Sequence, residues 1–509
     1  MFSLEKIKKE GKHFLIYGLG NIAQSALSFI LLPVYMRYFS PDEYGIISIL
    51  FIVVSFTSMV ASTGLMSALH RLYFTVEGKK RKKLVGTTFT WYFVAGLILS
   101  GFMIMFAGNI SRLLFKSAEY HREVRLIGVF FLFSFPLEIP FNILRLEKKS
   151  GSYVFFSLLR FSLDFVSKIL LVIFLKRGVI GYLESGILSA FIVFLATGFY
   201  IIKYVSLSLR ISFLKELLRL GVPFIFSGFA MWSLNVADRM ILNYYWGQES
   251  VGLYAVGLKF SQIFKILLFW PFSLSLPAIV FPYAAKHTEA ETKRLLSSLL
   301  KLLVFSGGIL YLVVSLGTKD LIQIFTILFH AKEEYIQSIS LVPILTLIQF
   351  CLFLTFPPSY SLLLVKKPEY TSISAGICAA VNIGLNFLMI PTMKEAGAAI
   401  STGISYIIYV LLVYFWAQRQ YHVDFNWKSI FLGVSFICFV FFGFWFIPFG
   451  NYWAGLFLRT SVSLLVFFLL LFFFSGLLPM KIKKQIIRKI NDFFTKHNKK
   501  NVNQANNNP

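Results

Sequence analysis

Residues 38–46 read Tyr38-Phe39-Ser40-Pro41-Asp42-Glu43-Tyr44-Gly45-Ile46, and an echo stands 207 residues further on: Tyr245-Trp246-Gly247-Gln248-Glu249-Ser250-Val251-Gly252-Leu253. Each stretch separates two long apolar runs, so each marks a turn between helices that cross a membrane. Two further echoes keep the same order. Pro140 with Lys148 and Lys149 recurs as Pro358 with Lys366 and Lys367 at offset 218, and Gly181, Ser185 and Ser189 recur as Gly397, Ser401 and Ser405 at offset 216. Small residues four apart serve close helix packing wherever they occur, but a shared order at nearly one offset points to a repeat. Six spans are therefore expected to recur as six in parallel topology, followed by two further spans and a tail.

Composition agrees with this reading. Of 509 residues, 57% are hydrophobic and 14% charged, with a mean hydropathy of +0.74. A soluble protein carries about 25% charged residues, so that class is excluded. Apolar windows between charge clusters give fourteen candidate spans, from residues 14–36 to 453–478, with Pro271 and Pro277 as kink points in the eighth. The runs are long and lack period-two alternation, which excludes a transmembrane β-barrel. The first run is too long for a cleaved leader and is read as a retained span. The domains expected are 1–205 (first six helices), 206–427 (second six), 428–480 (helices 13 and 14) and 481–509, a basic, Asn-rich tail.

The chain holds 49 Lys and Arg against 23 Asp and Glu, a formal charge of +26. On a soluble chain such an excess would suggest nucleic acid. Alternating the loops between two sides instead places 33 of the 49 basic residues with the N-terminus and 9 opposite, leaving 7 inside spans. By the positive-inside rule both termini are cytoplasmic, and no nucleic-acid partner is expected. The three cysteines lie inside apolar runs with no CxxC pair, and no GxxxxGK[ST], HExxH or GxSxG motif occurs. No enzyme activity, cofactor or metal site is expected.

Tyr17-Gly18-Leu19-Gly20-Asn21, then Leu32-Pro33 and Ser40-Pro41-Asp42-Glu43-Tyr44-Gly45, resemble the polysaccharide biosynthesis (Wzx-type, O-antigen) flippase family. So do Gly221-Val222-Pro223, Asp238-Arg239-Met240-Ile241-Leu242 and Val251-Gly252-Leu253-Tyr254. That family belongs to the multidrug/oligosaccharidyl-lipid/polysaccharide exporter superfamily, and the likeness spans about residues 10 to 480. It implies an all-α integral membrane protein of about fourteen helices, with two pseudo-symmetric six-helix lobes around a central cavity and two extra C-terminal helices. It also implies transport of an undecaprenyl-diphosphate-linked oligosaccharide, an O-antigen or other surface polysaccharide unit, across the bacterial inner membrane by alternating access. A polysaccharide polymerase and a chain-length regulator are the partners implied beside membrane lipids. The alternatives within the superfamily are a peptidoglycan lipid-precursor flippase and a multidrug/cation antiporter. An antiporter for hydrophobic cations would carry an acidic cavity, against the basic residues found here.

Ionisable side chains within spans are costly and usually face an interior or a hydrated cavity. Arg160, Asp164 and Lys168 share one helix face at spacing four. They either neutralise one another or form a cavity stripe of net charge +1. Asn382 and Asn386 stand at offset 218 from Asp164 and Lys168, a polar counterpart that favours the cavity. Lys265 and Arg239 join Arg160 and Lys168 as candidates for an anionic headgroup, because Arg and Lys hold phosphate. Asp164, Asp238 and Glu138 are candidate carboxylates for coupling to H+ or Na+, or structural. Glu138, between Pro136 and Pro140, alternatively caps a broken helix. Asn21, Gln24 and Ser28 form a polar stripe on the first span. Lys259 and Arg459 read as snorkelling side chains.

Overall fold

Ser40 and Pro41 start a helix for local reasons. The Ser40 side chain accepts from the Glu43 backbone N–H while the Glu43 carboxylate accepts from Ser40 N–H, and Pro41 takes the first helical position, where no N–H is needed. Thr288 and Glu291 repeat this capping box. The computed structural model describes residues 29–202, 204–206, 209–425, 427–448 and 450–473, and among these residues it is helical throughout, with no strand. Asn21, Gln24, Ser28 and the basic tail lie outside the described residues.

The first half runs α1 (Leu32–Tyr38), α2 (Pro41–Ser62), α3 (Leu65–Leu72), α4 (Gly78–Met105), α5 (Ala107–Phe115), α6 (His121–Ser134), α7 (Glu138–Leu146), α8 (Ser150–Lys168) and α9 (Gly178–Ile201). The chain continues with α10 (Ile211–Gly221), α11 (Pro223–Phe264), α12 (Trp270–Lys286), α13 (Glu289–Phe329), α14 (Val342–Leu354), α15 (Phe356–Leu364) and α16 (Glu369–Gln420), and closes with α17 (Trp427–Trp445) and α18 (Tyr452–Phe473). Helices suit hydrocarbon because each satisfies its own backbone polar groups. Among the described residues, eight helical stretches are long and apolar enough to cross a membrane. Two of them, Trp232–Lys286 and Glu369–Gln420, run to 55 and 52 residues, well beyond the roughly 20 that one crossing needs. Each contains a non-helical residue, Gly247 (φ 81°, ψ −170°) and Lys394 (φ 50°, ψ −131°) respectively. Near Pro271 the expected kink takes the form of a π-helical turn, Lys265–Phe269, immediately before α12. A second π turn, Ile169–Phe174, follows α8.

The sequence repeat is also a repeat of conformation. Lys148 and Lys366 both adopt left-handed backbone, at φ 56° and 60°. Lys148 and Lys149 donate to the carbonyls of Arg145 and Leu144, and Lys366 and Lys367 to those of Leu363 and Leu362, the same pattern 218 residues on. Lys176 and Lys394, again 218 apart, share φ 50°. A Cβ on Gly181 would meet the Leu171 carbonyl oxygen at 3.0 Å, and one on Gly397 would meet that of Met389 at 2.4 Å.

Helices α2 and α11 approach most closely through the opening motifs themselves. A Cβ built on Gly45 would lie 1.8 Å from the carbonyl oxygen of Gln248, and one on Gly252 would lie 1.8 Å from that of Pro41. Since Pro41 and Gly45 correspond to Gln248 and Gly252 at offset 207, the contact is reciprocal. Beyond the far end of α2, a Cβ built on Gly64 would lie 2.1 Å from the carbonyl oxygen of Gly221, the last residue of α10.

Arg459 does not snorkel. It is 1% exposed, ion-paired to Asp320 of α13 at 2.5 Å, and donates to the Ile447 carbonyl at 2.8 Å. This pairing joins α18 to α13, and no charge clustering in the sequence links two residues 139 positions apart. Breaking one partner of a buried pair costs roughly 3–5 kcal/mol, whereas replacing both by apolar residues is often neutral. Arg459→Ala is therefore expected to lower the melting temperature of the detergent-purified protein markedly, and Asp320→Leu combined with Arg459→Met to recover most of the loss.

Candidate functional site

Past the Gly45–Gly252 approach, α2 parts from α11 and leaves a cavity of about 510 Å³. One wall is α2, from Tyr44 to Ser55, with Tyr182 of α9; the other is α11, from Trp232 to Lys265, with Gln349 of α14. Trp232 spans the two, donating its indole N–H to Ser55 Oγ at 2.9 Å. Arg239, Lys259 and Lys265 line the cavity, and among the described residues no Asp or Glu does. Asn235 and Arg239 lie one turn apart, as do Ala255 and Lys259, with Gln262 at the next turn, so one face of each half of α11 supplies the wall.

The three cations are differently held. The Arg239 guanidinium donates to the Asn235 carbonyl at 2.6 Å, while its Nε is buried without a hydrogen-bond partner. Lys259 and Lys265 have no hydrogen bond or ion pair among the described residues. Gln349 Oε1 is likewise buried and unpartnered. Buried polar atoms are nearly always satisfied, so a site with an unpaired acceptor, an unpaired donor and two free ammonium groups is built for something polar. A net cationic wall selects an anion. Asp238 sits behind Arg239 at 3% exposure, accepting from Tyr254 Oη at 2.6 Å and from Arg239 N–H at 2.7 Å. Its distance to Arg239 Nε is 3.9 Å.

The other sequence candidates fall elsewhere. Lys168 is 9% exposed, paired with Asp164 at 2.6 Å and poised 4.1 Å from the centroid of the Tyr182 ring. Ser185 donates to Asp164 at 3.3 Å. These residues line a narrow cleft of about 30 Å³, outside the central cavity. Arg160 and Glu138 face a further cavity of about 370 Å³, and Glu138 opens α7 after the break at Pro136. Asn382 and Asn386 are corrected from cavity lining to helix contact: both are fully buried. Asn386 donates to Asn382 at 3.0 Å, Asn382 to Thr402 at 3.2 Å, and Ser401 to Asn386. At the corresponding positions of the repeat, Lys168 donates to Asp164 as Asn386 donates to Asn382, one pair charged and one neutral, while the serine of the next helix joins Asp164 in one half and Asn386 in the other.

Lys259, Trp232 and Gln349 were not expected at the site. Lys259 lies ten residues, about three turns, after Glu249, which is why snorkelling competes with burial in the sequence. Its spacing of six from Lys265 separates the two by about 120° around a helix, so the sequence does not signal a shared wall.

A family model described as polysaccharide biosynthesis protein matches residues 34–311. Protein 1 of the Lsg locus of Haemophilus influenzae is 25% identical over 268 residues, covering 50% of this chain and 62% of that protein, so the match spans less than two thirds of the relative. Among solved structures, lipid II flippase MurJ in an inward closed conformation aligns with a TM-score of 0.72 at 17% identity, covering 90% of this chain and 98% of its own. A MATE family multidrug resistance transporter of the MOP superfamily, facing inward, aligns at 0.60 and 15% identity, covering 82% and 95%. These likenesses establish a transporter fold.

Asp164→Asn removes the only countercharge in contact with a nearly buried ammonium among the described residues. By the same asymmetry of broken and deleted pairs, it is expected to reduce the yield of folded protein in size-exclusion profiles, and Asp164→Asn with Lys168→Met to restore it. An unchanged profile for the single variant would show that Lys168 is hydrated in place.

Proposed function

The chain belongs to the polysaccharide biosynthesis protein family, and from that premise we propose that it is a flippase for an undecaprenyl-diphosphate-linked oligosaccharide, the repeat unit of O-antigen or another surface polysaccharide. The observation that carries this reading is the cavity wall of Arg239, Lys259 and Lys265, joined by no carboxylate among the described residues. A sugar diphosphate cannot enter hydrocarbon, whereas a hydrated, cationic chamber between helices receives it by charge-assisted hydrogen bonds. The isoprenoid chain stays in lipid. A chamber for hydrophobic cations would require the opposite charge, which speaks against a multidrug antiporter.

In this reading residues 1–205 and 206–427 are two lobes that part alternately at the two glycine approaches, and helices of 428–480 pack beside them. The protein lies in the inner membrane with both termini cytoplasmic, and it acts before a polymerase and a chain-length regulator. It binds and moves its substrate without making or breaking covalent bonds. Coupling to H+ or Na+ runs through a carboxylate, and Asp238 is the one nearest the cationic wall.

Each charge-assisted hydrogen bond contributes about 1.5–3 kcal/mol, about tenfold or more in affinity. In a strain lacking the gene, Arg239→Gln, Lys259→Gln and Lys265→Gln are expected to leave protein abundance normal while surface polysaccharide falls, most severely for the triple variant. Normal export by the triple variant would refute the assignment. The lipid that accumulates identifies the cargo: a peptidoglycan precursor carries the same diphosphate, and its accumulation would move the assignment to a peptidoglycan lipid-precursor flippase. Asp238→Asn is expected to make transport into inverted vesicles insensitive to collapse of the ion gradient; a response equal to that of the parent protein excludes Asp238 from coupling.

A further inference from the structure

The cavity of about 370 Å³ at the break between α6 and α7 is separate from the cationic chamber. Glu138 and Arg160 both line it, together with Tyr92 and Ser134. Among the described residues neither charged side chain makes a hydrogen bond or ion pair. The carboxylate and guanidinium thus look into one space without closing on each other. The Glu138 side chain is accessible and that of Arg160 partly so.

The repeat shows that the fold does not require this. At offset 218 Glu138 corresponds to Phe356 and Arg160 to Cys378. Phe356 packs against Phe269 and Phe353, with ring centroids 4.9 and 5.8 Å away, and Cys378 is fully buried, its thiol donating to the Ser405 carbonyl. One half fills the position with apolar groups; the other hollows it and sets two opposite charges there with no hydrogen bond or ion pair between them among the described residues.

The chamber and this second cavity lie along one helix face. At about 100° per residue, Ser48, Ser55, Ser58 and Ser62 of α2 fall within about 80° of arc. Ser48 and Ser55 line the chamber, and Ser58 and Ser62 line the second cavity. The cleft of Asp164 and Lys168 shares Phe51 and Tyr182 with the chamber and Phe130 with the second cavity.

Resting on the flippase reading, we propose that this second cavity is the subsite for the glycan of the substrate, a polyhydroxylated, uncharged sugar residue displaced along α2 from the diphosphate. Its chemistry separates ligand classes. A simple anion is opposed by Glu138 and a simple cation by Arg160. A sugar presents hydroxyls that donate to the carboxylate and accept from the guanidinium, with further bonds to Ser58, Ser62 and Tyr92. Phe130 and Phe135 supply apolar faces for its C–H groups.

The test uses the full-length protein in detergent and native mass spectrometry with two probes. One is undecaprenyl diphosphate; the other is the diphosphate-linked glycan lipid fraction extracted from a strain deleted for this chain. The parent protein is expected to bind the glycan lipid at least tenfold more tightly. Glu138→Gln, Arg160→Met and the cavity-filling Ser58→Leu are expected to erase that difference while leaving undecaprenyl diphosphate binding unchanged. Arg239→Gln should weaken both probes alike. Equal affinity of the parent for both probes, or equal weakening of both by Glu138→Gln, overturns the subsite and leaves the chamber assignment standing. Binding of neither probe overturns the flippase reading itself.

Discussion

A charge inside a bilayer must be paired, hydrated or matched by a ligand, and the interior of this protein is arranged by which of the three each charge obtains. Arg459 is paired with Asp320 and Lys168 with Asp164, and both pairs lie where helices pack. Asp238 keeps a carboxylate at depth with a tyrosine hydroxyl and a backbone N–H. Lys259 and Lys265 obtain no carboxylate among the described residues, Arg239 has only Asp238 behind it at 3.9 Å, and Glu138 and Arg160 form no ion pair. The division coincides with the division between structure and cavity.

That sorting was only partly legible in the sequence. The transmembrane class, the repeat and its offsets follow from apolar runs and short motifs, because these are properties of neighbouring residues. Turn conformation was legible too, since Lys148 and Lys366 keep one backbone bend at offset 218. Which charge meets which was not. Arg160, Asp164 and Lys168 share a face of α8, yet α9 and the α6–α7 break divide that face between two spaces. Arg459 and Asp320 meet only because α13 and α18 pack together. Lys259 looked peripheral because its distance from a loop said nothing of the opposing helix.

The repeat gives each half an internal control. Where the halves agree, as in the hydrogen-bonded bends after α7 and α15, the feature belongs to the fold. Where they differ, the difference belongs to something only one half does. The bridge of Asn386, Asn382 and Ser401 shows that helix contact needs polarity at these positions but no charge. The Phe356 and Cys378 counterparts show that packing needs neither Glu138 nor Arg160.

The paired glycine approaches of α2 and α11 have a mechanical consequence. Helices meeting through side chains interlock like gear teeth, and separating them means withdrawing each tooth and choosing new rotamers. At Gly45 and Gly252 there are no teeth. Two smooth surfaces meet with nothing to disengage, and in the proposed flippase their reciprocal placement would serve as a bearing of little internal friction between the two repeats.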